Sequence, residues 1–332
     1  MFATLPQTLL PAVLVTESGT PRRVGVEIEF ANLEIDAVAA LVAAQFGGAI
    51  HRDTDYEARI VTPELGEFRV EVDLGLLKRM GKERAAAATG RSPLEQMSEE
   101  LLAALARQLA PCEIVTPPLP FERLADLDDL VARLREAGAQ GTDDALVYAF
   151  GVHFNPEAPS LAAASVLSHL RAFVLLYDWL KTQLRVNPAR RLTPFINPFP
   201  SRYLLHILAP GYVPDRDALI RDYLAGNPTR NRALDLLPLL AWLDKKRVLA
   251  AVGGQKINPR PAYHYRLSNS RVGDPYWRLT DEWRYWLVVE ALAQNPDKLK
   301  AMAADYSLLL RRPFGDIFSE WTDRTRRWLD MT

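Results

Sequence analysis

The sequence predicts an α+β fold: a mostly antiparallel β-sheet flanked by helices, in one domain over residues 1–332. Three observations carry this. Stretches of apolar–polar alternation crowd residues 20–160, and period two is the mark of a half-buried strand. Residues 161–332 instead repeat their apolar side chains every three or four positions, as a helical face does, with one returning strand near 262–267. No stretch between the halves is long and polar enough to be a linker, so strands and helices are expected to share one core.

The clearest element is Arg23 to Phe30, where Val24, Val26, Ile28 and Phe30 alternate with Gly25, Glu27 and Glu29. Asp36 is placed to cap a helix that runs to Phe46 and ends at Gly47 and Gly48. Strands are expected at 56–61 and 67–73, the second with Phe68, Val70 and Val72 inward. Residues 75–93 are charged and Gly-bearing and read as a loop, with a helix over 94–109. A short strand at 112–116 is stopped by Pro117 and Pro118. Leu124, Leu127, Leu130, Val131 and Leu134 mark a helix ending at Gly138, and a strand over 146–155 follows. Val166, Leu170, Phe173, Val174, Tyr177, Leu180 and Leu184 form one face of a long helix. Further helices are expected at 216–225, 234–242, 281–294, 296–310 and 316–329.

Composition narrows the function classes. Forty basic residues against forty-one acidic give a net charge of −1, which argues against a surface built for nucleic acid. The single cysteine, Cys112, leaves no disulfide framework and no cysteine-based metal cluster. With five histidines in the chain, a metal site would rest mainly on carboxylates, which favours Mg2+ or Mn2+ over zinc. The most apolar long stretch, 161–180, is broken by His169, Arg171 and Asp178 and reads as a buried helix, not a membrane span. A cytoplasmic location is expected, with no nucleic-acid or membrane partner. Oligomeric state is left open.

Glu27 and Glu29 are two apart on a strand and therefore share a face. Two carboxylates so close repel unless a cation or arginines lie between them. A solvated outer face is the ordinary explanation for one such pair. Asp73, Glu113 and His153, on further strands, make a shared cation-lined cavity the better one, since polar groups in apolar surroundings are costly unless satisfied. His264 and Arg266 are again two apart, with Arg271 just beyond. Arginines beside acids are often structural ion pairs; next to a metal they are also what phosphate oxygens require.

At these residues the chain resembles a known family. Gly25-Val26-Glu27-Ile28-Glu29-Phe30 is similar to the opening Glu-x-Glu strand of the glutamine synthetase-like carboxylate–amine ligases, in particular their amidoligase branch. In the order found in that branch come Phe68 to Asp73, then Glu113-Ile114-Val115-Thr116-Pro117-Pro118-Leu119, then Gly151-Val152-His153-Phe154-Asn155. Tyr263-His264-Tyr265-Arg266 occupies the place of the family's Glu-x-Arg strand, so His264 stands where a glutamate is usual, and Asn155 stands for a second histidine.

The resemblance implies a curved sheet forming a funnel, as in glutamine synthetase and gamma-glutamylcysteine ligase, with ATP and Mg2+ (or Mn2+) inside. It makes Glu27, Glu29, Glu113 and His153 metal ligands, with His264 as a further one. Arg266, helped by Arg271, would bind phosphate, with Asn155 also toward the nucleotide. Asp73 becomes an acid at the mouth, in the metal shell or toward the amine, whose proton it could take. Residues 75–93 are long and polar enough for a lid, with a disordered insertion as the alternative. The expected activity is ATP-dependent amide or peptide bond formation through an acyl phosphate, from small-molecule or peptide carboxylates and amines. Two other readings stay open: a guanidino phosphotransferase using a reactive Cys112, and a degenerate nucleotide- or metabolite-binding protein with a regulatory or scaffold role.

Overall fold

The alternation of β1 (Arg23–Phe30) is matched by its burial. Val24, Val26, Ile28 and Phe30 are fully buried on one face, while Gly25, Glu27 and Glu29 are only partly covered on the other. The computed structural model describes residues 9–72, 111–144, 149–192, 196–312 and 316–330. Going outward from β1 on one side come β5 (Cys112–Val115), β4 (Gly66–Val72), β3 (Glu57–Thr62) and β2 (Ala49–Thr54). On the other side come β7 (Gly151–Pro156), β9 (His264–Asn269) and β8 (Leu234–Asp235), and β6 (Leu119–Pro120) pairs with the start of β1. Among the described residues all pairings of this nine-stranded sheet are antiparallel. It is an open sheet with β2 and β8 at its edges.

Among the described residues the α-helices are α1 (Ile35–Phe46), α2 (Ala125–Glu136), α3 (Ala163–Gln183), α4 (Pro188–Leu192), α5 (Ser201–Ile207), α6 (Arg216–Gly226), α7 (Leu237–Leu243), α8 (Lys245–Val252), α9 (Leu279–Ala293), α10 (Pro296–Leu310) and α11 (Ile317–Asp330). Those that meet the sheet cover its apolar face. Phe46 of α1 stacks on Phe68 of β4 at 4.7 Å. Phe154 of β7 sits 5.5 Å from Trp283 of α9, and Tyr265 of β9 lies between Phe173 of α3 and Trp286 of α9. Trp283, Trp286 and Trp321 are fully buried and serve the core, whereas Trp242 is exposed. Removing any one such ring would cost on the order of 3 to 5 kcal/mol. With one face sealed in this way, β1, β5, β7 and β9 leave their other face for polar groups.

Several expectations are corrected. Asp36 is not a cap: Glu34 holds that position without a side-chain bond, and Asp36 in the first turn pairs with Arg52 at 2.6 Å. Residues 234–242 are not one helix, because Leu234 and Asp235 pair with Tyr265 and His264 as β8 before α7 begins. The second half therefore returns two strands to the sheet. β2 was not expected; every residue in it is exposed at the sheet edge, so no apolar alternation marks it. Asp73, the loop 75–93 and the helix 94–109 lie outside the described residues, as do 145–148 at the start of the strand expected over 146–155.

One acid is buried in the core with a consequence for stability. Glu282 on α9 accepts from Trp277 Nε1 at 3.0 Å, with Ser268, Arg271 and Arg190 also near it. Burial pushes its carboxyl up to about 7 from an ordinary value of 4.5, against the lowering pull of those neighbours. The folded chain therefore binds this proton more tightly than the unfolded chain does. Its contribution is fully present below about pH 4.5 and is lost as pH rises through about 7, a change of about 3 kcal/mol. Glu282→Gln keeps an acceptor for Trp277 and has no proton to lose. Urea unfolding at pH 5 and pH 8 should show the wild type losing stability across that window and the variant losing less. Equal slopes would place the pH dependence elsewhere.

Candidate functional site

The register of the sheet decides which polar side chains meet. Glu27 lies opposite His153 on β7, Glu29 opposite Glu113 on β5, and Asp235 opposite His264 on β9. Directly opposed residues share a face, so all six are brought to the side away from the helices. A β-bulge between β7 and β9 shifts the register there, so that Val152 pairs with Ser268 while Phe154 pairs with Tyr265. The buried Arg190 of α4 pins that bulge by donating to the carbonyls of Arg266, Leu267 and Ser268 at 2.6–2.8 Å. Gly151 makes room for it: a Cβ there would lie 2.7 Å from Arg190 Nη2.

Glu27 is the centre of the group. His153 Nδ1 is 2.7 Å from its Oε2, and Asn155 Nδ2 donates to its Oε1 at 2.9 Å. His264 Nε2 and Arg260 Nη2 each approach to 3.7 Å, and Arg260 Nη2 also donates to Asn155 Oδ1 at 2.6 Å. Burial alone would raise the Glu27 carboxyl; the pull of His264 and the hydrogen bond from His153 outweigh it and hold it well below the usual range. His264 is driven the other way, to about 4, by burial and then by the Arg266 charge, despite Glu27 and Asp235. At neutral pH the pair is a carboxylate beside a neutral imidazole, the form that can ligate a metal.

Glu29 accepts from the Gly151 amide at 2.7 Å and lies 3.9 Å from His153 Nε2. Two groups of ligating atoms result, each within 4.8 Å of one another: Glu29, Glu113 and His153, and Glu27, His153 and His264. The first has two hard carboxylates. In it the His153 ring can turn Nε2 to the group while Nδ1 is held by Glu27, the carboxylate-backed arrangement usual for metal-binding histidines. In the second, the buried His264 Nε2 has no hydrogen-bond partner, as a ligand atom awaiting a cation would. The donor set fits a divalent cation of the Mg2+ or Mn2+ kind, and the imidazoles favour the latter.

Asp235 is fully buried and was not anticipated. Its Oδ2 lies 3.5 Å from His264 Nδ1, 3.5 Å from Arg266 Nη2 and 3.7 Å from Arg230 Nε. Burial would raise it, but the adjoining His264 ring and the Arg266 charge lower it below the ordinary value. Arg266 lies beside the group through Asp235 and His264. Arg271 does not join it among the described contacts: it pairs with Asp143 at 3.0 Å and donates to the Arg185 carbonyl at 3.4 Å, beyond the end of β9. Asp73 lies outside the described residues. Arg260 lies in a loop between Pro259 and Pro261 and had no signal that pointed to the site. Asp235, Arg230 and Arg190 had none.

Cys112 lies on the covered face, 2 % exposed. Burial, then the charges of Glu113, Glu34 and Glu71, push its thiol well above the ordinary range. A reactive thiolate is not formed there, which removes the support for a guanidino phosphotransferase. Among the described residues no helix is long and apolar enough to cross a membrane.

A protein-family model described as "putative amidoligase enzyme" matches residues 20–288, a span that takes in Glu27 through Arg271. No curated protein and no solved structure matches the chain.

Proposed function

The chain belongs to that amidoligase family, and from this premise we propose that it is an ATP-dependent carboxylate–amine ligase acting on small-molecule or peptide substrates, with the open face of the sheet as the funnel in which they meet. The observation that carries the reading is the gathering of Glu27, Glu29, Glu113, His153, His264 and Arg266 from four neighbouring strands onto one face. Glu29, Glu113 and His153 would hold a divalent cation, with Glu27 fixing the His153 ring. Such a cation supplies charge neutralisation on a transferring phosphoryl group. Arg266 binds phosphate oxygens, and its low exposure of 5 % strengthens each such contact. The substrate carboxylate attacks the γ-phosphorus, the new O–P bond gives an acyl phosphate, and ADP leaves. An amine then forms the C–N bond and displaces inorganic phosphate.

The test is ADP release by the purified full chain with Mg2+ or Mn2+ and a panel of carboxylates and amines. Release that needs both substrates supports the reading, with Mn2+ expected to serve at least as well as Mg2+. Nucleotide binding without substrate-stimulated ADP would instead support a degenerate binding protein. Turnover that persisted in Glu27→Ala combined with Glu29→Ala would overturn the metal assignment.

A further inference from the structure

The cation-binding groups occupy the β1, β5 and β7 part of the open face. Towards β8 arginines gather. Arg230, from the loop after α6, Arg260, from the loop after α8, and Arg266, on β9, bring three guanidinium groups to Asp235 and Glu27, with Glu29 also within electrostatic reach of Arg266. Guanidinium groups from three separate segments are therefore concentrated on this flank.

The hydrogen bonds point the same way. Arg230 uses Nη1 on the Lys256 carbonyl, Arg260 uses Nη1 and Nη2 on Asn258 and Asn155, and Arg266 uses Nη2 beside His264. In all three the Nε–H is sealed from solvent and makes no hydrogen bond, although that of Arg230 faces Asp235 Oδ2 at 3.7 Å. Buried guanidinium donors are rarely left unmade, because each orphan forfeits its hydration without recompense. Arg266 itself is 95 % buried by its 5 % exposure. Guanidinium donors left unmade on one flank describe a site for an oxyanion.

We propose that Arg230 and Arg260 join Arg266 in a three-arginine cradle for phosphate oxygens, so that a phosphoryl group lies between this flank and the cation-binding groups around Glu29. The proposal deepens the ligase reading, on which it rests for the nature of the phosphate donor. Two loops and a strand supply the cradle, so its geometry depends on β8 and β9 being paired, with Asp235 as the carboxylate that spaces Arg230 from Arg266.

Inorganic pyrophosphate, titrated calorimetrically into the full chain in EDTA, tests the cradle without a metal or turnover. The wild type should bind it, and Arg230→Gln and Arg260→Gln should each weaken binding by about 10- to 100-fold, the usual worth of a hydrogen bond to a charged group. Arg230→Lys and Arg260→Lys keep the charge but not the planar fork and should recover only part of the loss. Circular dichroism and melting show that each variant is folded; Arg230 and Arg260 are partly exposed, so both should be. Unchanged binding in the folded variants, or no binding by the wild type, overturns the cradle. Glutarate run in parallel separates the other anion source: loss confined to glutarate would assign the arginines to a substrate carboxylate and overturn the phosphate proposal. A chain that binds pyrophosphate in this way yet releases no ADP with any substrate pair keeps the cradle and loses the ligase reading.

Discussion

Glu29→Gln is expected to lower substrate-stimulated ADP release by about three orders of magnitude while leaving the melting temperature almost unchanged. Two features of Glu29 separate these effects. Its Oε2 accepts from the Gly151 amide at 2.7 Å, and a glutamine carbonyl oxygen can keep that bond, so β1 and β7 stay in register. Its charge is what the group with Glu113 and His153 contributes to a cation, and glutamine removes it. Mn2+ titration followed by electron paramagnetic resonance should show affinity at least 100-fold weaker. Glu27→Gln is a less clean variant, because Glu27 also meets His153, Asn155, His264 and Arg260, and its loss would disturb several partners together. Turnover by Glu29→Gln within tenfold of the wild type would remove Glu29 from the catalytic machinery.

Why Glu27, Glu29, Glu113 and His153 were legible in the sequence, and Asp235 was not, follows from periodicity. β1 could be bounded at Arg23 and Phe30 because one side is fully buried and the other is not, and that contrast writes period two into the residues. Once the strands carrying Glu113 and His153 are placed beside it, the shared face follows. Asp235 belongs to a two-residue strand followed by Leu236, Leu237, Pro238, Leu239 and Leu240, and so short a strand has no period. Its apolar surroundings read as a helix, and its partner His264 lies far along the chain. Arg230 and Arg260 reach the site from loops, where spacing carries no orientation. Arg190 acts through the carbonyls of a β-bulge, a feature set by tertiary pairing alone. β2 was missed for the opposite reason: with both faces exposed, its residues are under no alternating constraint.

Glu290→Gln is expected to destabilise the chain by about 3 to 5 kcal/mol, lowering the melting temperature by roughly 10 °C. Glu290 on α9 receives both ends of the Arg22 guanidinium, at 3.0 and 2.6 Å, together with Trp286 Nε1 at 2.8 Å. The pair is sealed, with side-chain exposures of 0 % for Arg22 and 2 % for Glu290. Arg22 also donates to the carbonyls of Val13 and Glu157 and lies 5.4 Å from the Phe121 ring, so it cannot swing out to water when its counter-ion is neutralised. The cost is that of a stranded charge and not of a lost attraction. Arg22→Met combined with Glu290→Met should therefore recover most of the loss, since it removes the charge together with its partner. Thermal unfolding of the two single variants and the double variant measures this directly; a double variant as unstable as the sum of the singles would refute it. Arg22 immediately precedes β1 on the covered side, across the sheet from Glu27. The singles should accordingly change how much of the chain is folded while ADP release per folded molecule stays as it was, the reverse of what Glu29→Gln does.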